Sequence, residues 1–222
     1  MKIMLLGLVA ALTIGAAPVD WTKTVTRAAN GAYVLGNPKA KVRLVEYMSY
    51  SCNHCAQFVG DASAPLKSNY VANGKVTVEF RNALRDRYDF AAALVARCGG
   101  GGKFVAQSEA LFAAQESLMT RAQAFEASNP TPDNAPIDAV LTGIAQGSGM
   151  TALMAARGVT AATVNACLTN KAEQGVVLGM AKEAWETRKL KGTPSFLING
   201  RNTGPATWGD IEPKLRSATA AK

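Results

Sequence analysis

The sequence predicts an α/β fold: a mixed sheet flanked by helices, with a helical block inserted in its middle. Three observations carry this expectation. An apolar run, Val42 to Met48, leads into a helix-like stretch, and an alternating strand, Lys75 to Arg81, follows. Strand, helix, strand implies a parallel pair joined by a right-handed crossover. From Phe90 to about Leu190 the apolar residues then recur mostly at helical spacing. Strand character returns at Ser195-Phe196-Leu197-Ile198, where Asn199-Gly200 signals a hairpin and antiparallel partners.

In chain order, Lys2, the uncharged run Ile3 to Ile14 and the small residues Gly15-Ala16-Ala17 read as a cleavable signal peptide over residues 1–17. The run is too short for a comfortable membrane span. Thr22 to Tyr33 alternates as one edge strand, and Gly36-Asn37-Pro38-Lys39-Ala40 is a turn. In Val42 to Met48, Leu44, Glu46 and Met48 share one face while Val45 and Tyr47 share the other. Asn53 to about Ala72 is helical, with Pro65 set to kink or divide it. Val76, Val78 and Phe80 line one face of the next strand.

In the helical block, Phe90 to Cys98 forms one helix, stopped by Gly99 to Gly102, and Phe104, Ser108, Leu111 and Phe112 mark another. The proline-rich stretch 128–136 is a loop, after which Ile137, Val140, Leu141 and Ile144 give a third stripe. Shorter helices run from Met150 to Arg157 and from Ala161 to Asn170. Gln174 to Lys189 is the clearest helix, with Val176, Val177, Met180, Ala181, Ala184 and Trp185 at i, i+4 intervals. A short strand, Arg201 to Gly204, and a helix, Trp208 to Arg216, close the chain. The expected division is a sheet domain from 22–88 and 190–220, split by a helical insertion at 89–189.

The chain has 222 residues, 48% hydrophobic and 18% charged, enough for a generous core and no composition for disorder. Its formal charge is +8, but the Lys and Arg residues are scattered. They read as a solvated basic surface, without the dense tract or aromatic interleaving of a nucleic-acid binder. Binding to a membrane surface or an acidic partner stays open.

The chemistry concentrates at Cys52-Asn53-His54-Cys55, which opens a helix directly after a strand. A helix N-terminus favours thiolate over thiol, and the two-residue spacer lets the second sulfur close onto the first. A structural disulfide or half of a metal site would use the same spacing. A zinc ribbon needs a second close pair, whereas Cys98 and Cys167 stand alone. Haem attachment needs His after the second Cys, and residue 56 is Ala. No metal and no cofactor are expected. In an exported chain, four cysteines suggest two disulfides.

The Cys52–Cys55 motif, Glu46 six residues ahead of it, Gly192-Thr193-Pro194-Ser195-Phe196, Gly36-Asn37-Pro38 and the inserted helices together resemble the DsbA family of periplasmic thiol:disulfide oxidoreductases. That family is a branch of the thioredoxin fold, and the resemblance covers nearly the whole mature chain. It implies that Cys52 is the nucleophile and Cys55 the resolving thiol of a redox-active disulfide. His54, the one histidine of the chain, would tune the Cys52 thiolate. Glu46 would be a buried acid relaying a proton to or from Cys55. Thr193-Pro194 would form a cis peptide, freeing Thr193 backbone groups to pair with an extended substrate. Cys98 and Cys167 would form a second, non-catalytic disulfide.

The function so implied is an exported dithiol oxidase. It would donate the Cys52–Cys55 disulfide to reduced secreted polypeptides in the periplasm and be reoxidised by a membrane quinone-linked partner. A monomer that binds no nucleic acid is expected. Asn53 stands where the family usually has Pro, and Thr193 is common in isomerase-like relatives. The alternatives are an isomerase or reductase of the same fold, and a peptide-binding chaperone module with dispensable thiols. Isomerase relatives usually carry a dimerisation domain ahead of the thioredoxin unit, whereas about twenty residues precede the first strand here, which favours the oxidase.

Overall fold

A computed structural model describes residues 19–132 and 134–220. The expected signal peptide, 1–17, lies outside them. Six strands form one mixed sheet in the order β1-β2-β4-β3-β5-β6: β1 Val25–Arg27, β2 Tyr33–Leu35, β3 Val42–Met48, β4 Val76–Asn82, β5 Ser195–Ile198 and β6 Arg201–Pro205. Only β3 and β4 run parallel, in a register from Val42 opposite Val76 to Met48 opposite Asn82. The crossover between them is α1, Asn53–Leu66, followed by a widened turn at Lys67–Val71 just beyond Pro65. The proline removes one donor from the ladder, and the helix changes pitch there instead of continuing.

Alternation along β3 puts Leu44 among α1 and α9 (Trp208–Ala220) side chains, including Phe58, Ala62, Ile211 and Leu215. Val45 and Tyr47 face the opposite side, against Ala184, Leu190 and Leu197. A third and larger core fills the helical block and reaches Met48, Tyr50, Cys52 and Cys55. Between β4 and β5 the block comprises α2 Arg87–Ala96, α3 Gly101–Ala113, α4 Gln115–Ser128, α5 Ile137–Gly147, α6 Met150–Ala155, α7 Ala161–Leu168 and α8 Lys171–Lys182.

Three expectations need correction. The single edge strand over Thr22–Tyr33 is two short strands that pair antiparallel, with a turn between them held by Gly31 N–H to Ala28 O and Ala28 N–H to Ala32 O. Gly31 at φ +81° takes the left-handed conformation this turn requires. The glycine run ends α2, but its last two members begin α3. Gly99 and Gly100 have positive φ, while Gly101 and Gly102 lie in the first turn of the next helix. Finally, α4 was not expected at all. Only Gln115, Leu118 and Ala122 are buried along its 14 residues, too few for an apolar stripe.

Candidate active site

β3 ends at Met48, and the segment Ser49–Cys52 turns the chain into α1. Cys52 is the N-cap residue of that helix and keeps extended backbone angles, φ −95° and ψ 115°. Cys52 makes no side-chain cap bond, although Asn53 Oδ1 accepts His54 N–H at 3.0 Å, and the positive end of the helix is turned toward Cys52. Cys55 lies in the first turn, and both cysteines are free thiols. The Thr193-Pro194 peptide is cis, and the Cys52 thiol donates to Thr193 O at 3.3 Å. Cys52 is only 3% exposed, less open than its place at a helix start suggests, because its sulfur lies against Thr193 and Cys55.

The two sulfurs are driven apart in acidity. A hydrogen bond from Cys55 lowers the Cys52 pKa to about 5, against a desolvation cost and with help from the Thr193 side chain and the Arg85 charge. Cys55 moves strongly the other way. Burial raises it first, and its bond to Cys52 raises it further, although Ser49 N–H donates to its sulfur at 3.5 Å. One proton is therefore held on Cys55 while Cys52 carries the negative charge, and in that state the Cys52 sulfur accepts from Cys55 and no longer donates to Thr193 O.

Glu46 sits on the α1-facing side of β3, with 2% exposure and no hydrogen-bond partner for Oε1. Burial pushes its pKa up to about 8. It lines a cavity of about 40 Å³ with Met48, Phe58, Ala62 and Ser108, large enough for a water molecule. His54 is exposed. Its side chain lines a groove of about 270 Å³ with Phe58, Thr193, Pro194 and Trp208. Cys98, buried just after α2, is disulfide-bonded to Cys167 of α7, with 5.7 Å between Cα atoms. Among the described residues, no group of three or more His, Cys, Asp and Glu is arranged to hold a metal ion.

Four residues near the site were not expected from sequence: Arg85, Asp89, Ser108 and Gln115. Asp89 is fully buried on α2. It accepts Tyr50 N–H at 2.7 Å and Arg85 N–H at 3.1 Å, and burial raises its pKa to about 7. Its position was partly readable, since Asp86 caps α2 by accepting Asp89 N–H, a local pattern three residues apart. Gln115 carried no such signal.

Comparison with known proteins fits this geometry. A model of the thioredoxin family, Thioredoxin_4, matches residues 28–215. A protein of Rickettsia conorii, provisionally named a protein-disulfide oxidoreductase, is 26% identical over 171 residues, 77% of this chain and 54% of its own length. A Rickettsia typhi relative with the same provisional name is 26% identical over 182 residues, 82% of this chain and 60% of its own. The chain thus spans roughly half to three fifths of these curated relatives. Among solved structures, a protein-disulfide isomerase from Novosphingobium aromaticivorans is 31% identical with a TM-score of 0.78, covering 87% of this chain and 100% of the other. Wolbachia pipientis alpha-DsbA1 superposes with a TM-score of 0.69 at 18% identity, covering 87% and 94%. The fold is thioredoxin-like with DsbA-type helical additions.

Proposed function

The chain belongs to the thioredoxin family, and from that premise we propose that it is a protein thiol:disulfide oxidoreductase working through Cys52 and Cys55. The observation that carries the reading is the split between the two sulfurs: a thiol pulled down to about 5 at a helix start beside one pushed far up by burial. A stabilised Cys52 thiolate favours the dithiol form, so the disulfide form is a ready oxidant.

In the oxidising direction, a substrate thiolate attacks Cys52 Sγ of the Cys52–Cys55 disulfide. The S–S bond breaks, and Cys55 leaves as a thiolate that takes up a proton; Glu46, close behind it, is the donor we assign. A second substrate thiolate then attacks the substrate sulfur of the mixed disulfide and expels Cys52 as its stabilised thiolate. The substrate dithiol loses two electrons and two protons; the protein disulfide gains the two electrons, one proton ends on Cys55 with Glu46 reprotonated from solvent, and the other passes to solvent. Thr193 and Pro194, beside Cys52, would hold an extended substrate strand. His54, between the two cysteines, would tune the Cys52 thiolate and contact that substrate from the groove. The pair Cys98–Cys167 would brace from within an inserted helical domain, residues 89–189, carried by a thioredoxin-like unit of 22–88 and 190–220.

Reduced secreted polypeptides are the substrates this chemistry suits, with export to the periplasm and reoxidation by a membrane quinone-linked partner. Among the described residues, no helix is long and apolar enough to cross a membrane. A second reading, an isomerase or reductase kept in the dithiol form, is favoured by the 31% identical relative named as a protein-disulfide isomerase. To test the activity, the oxidised protein is mixed with a reduced, unfolded two-cysteine peptide and free thiols are counted. One peptide thiol pair should vanish per protein disulfide consumed, and Cys52→Ser should abolish the exchange. Undiminished exchange in that variant would refute the reading.

A further inference from the structure

The loop that delivers Cys52 has no partner strand, so its backbone polar groups must find partners elsewhere. Helices of the inserted block supply them. Asp89 of α2 accepts Tyr50 N–H, and Ser108 of α3 accepts the Tyr50 hydroxyl at 2.8 Å. The Tyr50 ring stacks on Phe112 of α3 with centroids 4.6 Å apart. Gln115, the first residue of α4 and 8% exposed, donates through Nε2 to Tyr50 O at 2.8 Å and to Cys52 O at 2.9 Å. Cys52 O already receives the first N–H groups of α1, from Cys55 at 3.0 Å and Ala56 at 3.2 Å.

We propose that Gln115 is a positioning residue for Cys52: its one buried amide holds the two carbonyls on either side of Ser51 and fixes the backbone from which the reactive sulfur projects. Gln115 bonds to main-chain oxygens rather than to sulfur, so it acts through the aim of other groups. Cys52 Sγ must meet Cys55 and Thr193 at once, and those contacts depend on where the start of α1 sits. The break between α3 and α4 at Ala114, with φ −98° and ψ 4°, lies directly before Gln115. An aliphatic side chain of similar length would leave both carbonyls without this donor, and the loop would be free to shift on the helical block.

The inference rests on Cys52 being the reactive thiol of the proposed function. It is tested by comparing Gln115→Leu with the unmutated protein. The readouts are the Cys52 thiolate absorbance against pH and the equilibrium with glutathione, beside thermal stability. The Cys52 midpoint should rise, and the equilibrium constant for reduction should fall by about threefold or more. A folded variant that loses stability while both thiol readouts stay put overturns the proposal. Should the variant not fold, NMR of the unmutated protein decides. The Gln115 side-chain amide should be shielded from exchange and should shift as Cys52 titrates, and an amide indifferent to that titration overturns it. Failure of the parent reading looks different: unmutated Cys52 would then neither titrate in the acid range nor exchange with glutathione.

Discussion

Two buried residues with opposite shifts set the behaviour of the site with pH. Cys52 has its folded pKa near 5, below the ordinary thiol value of 9.0. The reduced protein therefore gains stability that is full above the unfolded thiol's pKa and is lost as the pH falls through about 5, a gain of roughly 2 to 3 kcal/mol at neutral pH. The stability of the reduced form relative to the oxidised form should accordingly grow between pH 5 and 8, as measured by denaturant unfolding of each. Glu46 runs the other way. Its folded pKa of about 8 lies above the ordinary 4.5, so stability is full below pH 4.5 and is lost as the pH rises through 8. Glu46→Gln should stabilise the protein by about 3 kcal/mol at neutral pH. It should also slow the exchange reaction by at least about tenfold, because the proton for Cys55 is gone. Stopped-flow mixing with a reduced peptide measures the second effect. At this scale the sequence was most legible where chemistry is local. Cys52 and Cys55 stand in one short run, and Glu46, Thr193 and Pro194 stand in short motifs that carry the family resemblance. Asp89 and Gln115 reach the site from helices of the inserted block; the Asp86 cap marks the helix start that carries Asp89 but not its place in the site, and nothing nearby marks Gln115.

Elements with strong periodicity were readable, and those held by tertiary contacts were not. β3 and β4 show their buried faces directly in the sequence, and α5 does so in part: Leu141 and Ile144 are buried, whereas Ile137 at the helix start is 43% exposed. The β1–β2 hairpin was hidden because each strand is only three residues long, although Asn30-Gly31 between them is a turn signal. α4 was hidden by its polar composition, and it docks through Leu118 and Ala122 as well as the bond network of Gln115. It also meets α5 where a Cβ on Gly147 would clash severely with Phe125 Cγ. Gly147→Ala should therefore cost about 1 to 3 kcal/mol of stability, with the Cys52 titration unchanged. The Cys98–Cys167 bridge closes 69 residues between α2 and α7. Replacing both by Ala should remove up to about 4 kcal/mol in the chain-entropy treatment. Thermal unfolding of the oxidised protein measures that loss, while Cys52 should titrate as before.

Over the whole molecule, one sheet serves two packed faces and the helical block completes the site from outside the sheet. The face of β3 and β4 opposite α1 carries a polar cluster. Glu79, fully buried, is paired with Arg43 and Arg81, and Arg81 also bonds to the Tyr47 hydroxyl and to Glu183. This ties β4 to the C-terminal end of α8 and anchors the block behind the strand that ends at the active-site loop. The fold class was visible from element order, because strand–helix–strand followed by a late hairpin leaves few topologies. The grip of the block on Cys52 was not, since it depends on three helices converging on four loop residues. The central claim is that this architecture stabilises the Cys52 thiolate and makes the Cys52–Cys55 disulfide oxidising. An equilibrium titration of the protein against reduced and oxidised glutathione tests it most directly. The dithiol form should predominate in glutathione mixtures that leave ordinary structural disulfides intact. A potential as low as about −270 mV, the thioredoxin value, would contradict the claim.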